Sequence, residues 1–156
     1  MSFDSTLIDL TACEVVDLLR REDVSPLDLL DTIRIYEEFD IVARVRELTP
    51  VFQAHLQRLG DHPLIGEARG VGLLGGLEVS KNKACRESFD PGAGVAGYAA
   101  KRALAHGVIT RGLNDTVTLC PPLIITPDQL DEMFDGIGKA LDDTYAWAVQ
   151  QGLTAA

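Results

Sequence analysis

From Ile41 to Leu59 the apolar residues Ile41, Val45, Leu48, Phe52, Leu56 and Leu59 recur at steps of three and four. That spacing predicts one amphipathic helix. Pro50 lies inside the run and has no N–H to donate, which predicts a kink or a restart there. A second stripe, Leu130, Phe134, Ile137 and Leu141, follows Thr126, Pro127 and Gln129. Those three supply an N-cap, a proline at the first helical position and a capping-box partner, so a helix starts at Thr126. Near the N-terminus, Thr11 and Glu14 have the same capping spacing, and Val15, Leu18 and Leu19 form a short apolar stripe. Ser25 and Pro26 open another predicted helix, with Leu27, Leu30 and Ile33 as its buried face.

Between these helices the pattern changes. "VGLLGGLEV" reads as a strand and "GDHPLIGEARG" before it as a connection. "GAGVAGYAAKRALAHG" is a helix rich in small residues that ends at Gly107. Two strands follow, 108–111 and 116–120, and a turn containing Asn114 and Asp115 joins them as an antiparallel hairpin. The order helices, strand, helix, two strands, helix predicts an α+β fold rather than a parallel α/β sheet.

Composition narrows the class. A chain of 156 residues is the size of one ordinary domain, and 46% hydrophobic residues suffice for a core. A formal charge of -10 argues against nucleic acid or an anionic membrane as the main partner, since both select a basic face. Cys13, Cys85 and Cys120 are as scattered as His55, His62 and His106, so neither a disulfide framework nor a zinc site is suggested. No basic, apolar leader opens the chain, and no run reaches the ~18 apolar residues of a membrane span. A cytoplasmic protein is the expectation.

Three features invite chemistry. Gly70, Gly72 and Gly75 spell G-x-G-x-x-G, but a polar loop precedes them and strand-like sequence follows. A dinucleotide site needs the reverse, so these glycines are expected to mark a bend where backbones approach closely. Lys81, Lys83, Lys101 and Lys139 lie in polar or helix-surface contexts, none of which predicts the desolvated amine of a Schiff-base lysine. No serine nucleophile motif is present. Arg111 differs. It ends the predicted strand "VIT", and Pro121 and Pro122 interrupt the partner strand, leaving that end of the ladder open. An arginine there either presents its planar fork to a carboxylate or phosphate, or is a surface charge beside a turn. Residue type and spacing leave both readings standing.

"HPLIGEARGVGLLGGLE", the arginine of "VITR", "PPLIIT" and the acidic start "DQLDEM" occur in order. With them, residues from about Arg34 to the C-terminus resemble the C-terminal part of a class III aminotransferase, nearest the omega-amino acid:pyruvate branch. The resemblance implies the small domain of that fold, a small antiparallel sheet covered by helices, over residues 34–156. It also implies that Arg111 is the substrate-binding residue, a mobile arginine at the site entrance that pairs with the carboxylate of an amino or oxo acid.

The family's pyridoxal 5'-phosphate, its Schiff-base lysine and its other cofactor groups belong to a large domain with no counterpart here. The expectation is therefore a transaminase-related chain that holds no cofactor and is inactive alone. Its partner would be a separate large domain or another copy of itself. The alternative is a non-catalytic dimerisation or binding module that reuses the small-domain fold. Residues 1–33 form a different segment: "LTACEVVDLLRREDVSPLDLLD", within about residues 7–31, resembles the opening helices of amidase-signature hydrolases. No counterpart to their Ser-Ser-Lys triad is present, so a join between two enzyme ends is expected near Asp31 to Arg34.

Overall fold

A computed structural model describes residues 11–26 and 36–154. The chain divides into two compact units, Met1–Val42 and Ala43–Ala156. In the first unit, α1 (Ala12–Arg20) starts at the expected capping box, with the Thr11 hydroxyl and the Glu14 carboxylate each capping the other's end. The Thr11 hydroxyl and then its backbone N–H donate to the Glu14 carboxylate and hold it below the usual carboxylate range. Val15, Leu18 and Leu19 are half-buried, as their stripe predicts. Leu27, Leu30 and Ile33, the expected face of the next helix, lie outside the described residues.

Of the kink or restart expected at Pro50, the restart does not occur: helix α2 (Ile41–Gly60) passes through the proline. The burial of Leu48, Phe52 and Leu56 on both sides of it explains why. One lost backbone bond is a smaller cost than interrupting a stripe that anchors the core.

The sheet has four antiparallel strands in the order β1-β2-β4-β3. Strand β1 (Ile65–Val71) is a second correction, since "GDHPLIGEARG" was expected to be a connection. What read as one strand is the turn and second arm of a hairpin, with β2 spanning Leu74–Val79. Gly72 takes φ +57 at the first turn position, which only glycine occupies without strain. At Gly70 a Cβ would fall 2.7 Å from Leu56 Cδ2, and at Gly75 it would fall 3.0 Å from Leu56 Cδ1. The G-x-G-x-x-G spacing is therefore a tight turn plus a seat for α2, as its context predicted.

Helix α3 (Val95–Ala105) ends as expected at Gly107, with φ +82. Gly107 N–H donates to the Leu104 carbonyl and Val108 N–H to the Ala103 carbonyl, the paired bonds of a Schellman cap. Strand β3 (Arg111–Leu113) begins at Arg111 rather than ending there, and β4 (Thr116–Leu119) returns beside it. Val108 is drawn into the helix cap and packs on Gly136, so the β-branched run 108–110 does not join the ladder. Helix α4 (Pro127–Gln150) starts at the predicted Thr126–Gln129 capping box. Leu130, Phe134, Ile137 and Leu141 are all buried in the core. The α+β class holds: helices cover one face of an antiparallel sheet, and Leu77, Val79, Val117 and Leu119 point into the shared core.

Candidate functional site: an arginine on the open sheet face

Residues alternate across a strand, so the register fixes what shares the uncovered face. Arg111 pairs with Thr118, Thr118 with Gly76, and Gly76 with Arg69. Two arginines thus stand in one cross-strand row, at opposite edges of the sheet. The next row holds Glu67, Glu78, Thr116 and Leu113. Val71 and Leu74 close the β1–β2 hairpin on the same face and are 74% and 53% exposed.

The two arginines have different surroundings. Arg69 Nη1 donates to Glu78 Oε2 at 2.6 Å, and Glu67 lies 4.0 Å away. The Glu78 bond, more than any other cause, raises the Arg69 pKa. Arg111 is exposed, and its guanidinium makes no ion pair or hydrogen bond with any described residue. Its backbone, by contrast, is fixed, because the Thr118 hydroxyl donates to the Arg111 carbonyl at 2.9 Å. One residue before the strand, the Thr110 hydroxyl donates to the Thr118 carbonyl. A bidentate donor on an anchored strand, with no internal anion, is chemically suited to an external carboxylate.

Thr118 was missed in the sequence, although the two-residue turn at Asn114 and Asp115 sets Leu113 opposite Thr116 and hence Arg111 opposite Thr118. A cleft of about 550 Å³ opens between residues 107–110, residues 118–122 and α4. Val108, Pro121, Ile125 and Met133 are among its lining residues, and Arg111 is not. Arg111 instead lies on the open sheet face.

Pyridoxal phosphate, which the resemblance implies, requires an amine free to form a Schiff base. Lys81 Nζ is 2.6 Å from Glu87 Oε1, which raises its pKa, the opposite of what such an amine needs. Lys83 Nζ donates to the Gly60 and His62 carbonyls. Lys101 and Lys139 are exposed on α3 and α4. No described lysine is both desolvated and unpaired, as a Schiff-base amine requires. Among the described residues, no group of three or more His, Cys, Asp or Glu side chains could hold a metal ion, and no helix is long and apolar enough to cross a membrane.

The aminotransferase class-III family model matches residues 27–141, beginning ahead of the junction expected at Asp31 to Arg34. Putrescine--pyruvate aminotransferase of Pseudomonas aeruginosa is 44% identical over 119 residues, 75% of this chain and 26% of that protein. The chloroplastic gamma aminobutyrate transaminase 3 of Solanum lycopersicum is 40% identical over 115 residues, 74% of this chain and 22% of the relative. Among solved structures, the omega-transferase from Vibrio fluvialis JS17 is 37% identical with a TM-score of 0.76, over 79% of this chain and 29% of that one. A co-factor free transaminase gives 38% and 0.75. The chain thus spans about a quarter of the length of the curated relatives it matches. By sequence and by fold, the chain belongs to the class III aminotransferase family.

Proposed function

We propose that this chain is the small-domain wall of a pyridoxal-phosphate transaminase site, with Arg111 as the ligand for the carboxylate of an amino or oxo acid. The observation that carries the reading is the contrast within one row of the sheet. Arg69 is neutralised by Glu78, while Arg111 is anchored through its backbone and left without an anion. The bidentate fork of an arginine suits a planar carboxylate and would orient a 2-oxo acid at the mouth of a site. The cofactor, when bound, supplies the electron sink for amino transfer, and the groups that hold it come from outside this chain. Alone, the chain is catalytically incompetent.

The test is a transplant. Residues 27–141 replace the matching segment of the Pseudomonas aeruginosa putrescine--pyruvate aminotransferase, the relative with 44% identity. Transaminase activity in the folded hybrid, and none from this chain mixed with pyridoxal phosphate and an amine donor, is the expected result. Turnover by the chain alone, or an inactive hybrid that folds and binds cofactor, contradicts the proposal.

The alternative of a non-catalytic binding module draws on the same face, where Val71, Leu74 and Leu113 are exposed beside Arg111. It predicts partner capture that does not depend on Arg111.

A further inference from the structure

All three histidines of the chain reach carboxylates on α4. His55 Nε2 lies 2.8 Å from Asp131, His62 Nε2 lies 3.3 Å from Asp142, and His106 Nε2 lies 2.8 Å from Asp143. Two of them are also engaged at the other ring nitrogen. At His55, Arg58 Nη2 approaches Nδ1 to 3.0 Å. A guanidinium only donates, so Nδ1 is the bare acceptor and the ring proton sits on Nε2, facing Asp131. At His62, the Leu64 backbone N–H donates to Nδ1 over 3.1 Å, which again leaves the proton on Nε2, toward Asp142.

Both rings are enclosed, with side chains 15% and 13% exposed. His55 stacks on Phe134 with centroids 4.9 Å apart, and His62 meets Tyr145 edge-on at 6.1 Å.

A histidine beside an aspartate ordinarily gains its second proton readily, and the pair tightens as pH falls. Here that proton must enter at Nδ1, where a donor hydrogen already points. Protonated His62 would deprive the Leu64 N–H of its acceptor in a corner where Leu64 is 1% exposed. We propose that His62 forms an acid-sensitive latch between the corner that follows α2 and α4, closed by the neutral imidazole between the Leu64 N–H and Asp142 and loosened by its protonation.

The facing charges are few. Asp131 on α4 and Arg58 on α2 meet His55, and Asp135 lies 3.9 Å from Arg58. Asp142 and Tyr145 on α4 face His62, with Lys83 approaching from the segment after β2. At His62 burial outweighs the pull of Asp142, and Lys83 adds to the burial effect, so its pKa is held below the ordinary imidazole value. The folded chain then binds fewer protons than the unfolded chain. Stability present at neutral pH is lost as pH falls below about 6.5. His106 is an internal contrast. It shares Asp143 with Arg102, and no described residue donates to its Nδ1.

Ring nitrogen–proton spectra of the full chain, recorded from about pH 8 to about pH 5, test the latch. Expected are Nε2–H tautomers for His55 and His62 at neutral pH and a titration midpoint for His62 below about 6.5. The thermal midpoint should fall by about 3 °C or more on acidification from pH ~7.5 to ~5.5. In the variant His62→Gln, an amide can still donate to Asp142 but does not titrate, so most of that fall should vanish. An Nδ1–H tautomer at His62, a His62 midpoint above the ordinary value, or a thermal midpoint that rises on acidification overturns the proposal. If the variant does not fold, the ring spectra of the unaltered chain decide alone.

Discussion

The two faces of the sheet follow opposite rules. On the covered face the central positions are filled by their neighbours: Leu77 and Val117 are 0% and 1% exposed, and Phe134 of α4 meets Phe52 of α2 edge-on at 5.1 Å. On the open face Val71, Leu74 and Leu113 are exposed, and charges are paired at one edge but not at the other. The covered face is finished within the chain. The open face leaves apolar side chains and one arginine without partners among the described residues, and the proposed reading assigns Arg111 there as the ligand residue.

The sharpest way to break this contrast is to cut into each face. Phe134→Ala removes a fully buried ring from the centre of the helical layer, and a loss of about 3–5 kcal/mol in denaturant unfolding is expected. Gly112→Ala, one residue from Arg111 but on the covered face, would set a Cβ 2.6 Å from the Ala96 carbonyl group. Displacing that backbone should cost about 1–3 kcal/mol, measured the same way. Arg111→Ala should change stability by no more than about 0.5 kcal/mol, since its side chain contacts no described anion. If Arg111→Ala destabilised as much as Gly112→Ala, the arginine would be structural and the contrast between the faces would fail.

What was legible in the sequence was mostly local. The capping boxes at Thr11 and Thr126 are complete within four residues, and the stripes of α2 and α4 repeat over several turns. Strand β1 was hidden because its two faces answer to different demands. Glu67 and Arg69 are polar for the open face, while Ala68 and Gly70 are small because α2 lies on them, so no β-branched run signals a strand. The segment 108–110 misled in the opposite sense. Its β-branched residues suggest a strand, but the Schellman cap of α3 claims Val108. Arg111 was legible as a candidate, whereas the contrast with Arg69 was not, because the Arg69–Glu78 bond is a contact across strands that no spacing predicts. The roles of His55 and His62 were equally invisible, because their partners lie 76 and 80 residues away along the chain.

The most direct test compares two acceptors in the transplanted enzyme, one a 2-oxo acid such as pyruvate and the other an aldehyde of similar size without a carboxylate. If Arg111 is the carboxylate ligand, Arg111→Ala should raise the KM for pyruvate by about 10–100-fold, the worth of one charge-assisted bidentate pair, and leave the aldehyde's KM unchanged. An unchanged KM for pyruvate, or an equal rise for both acceptors, would contradict the assignment.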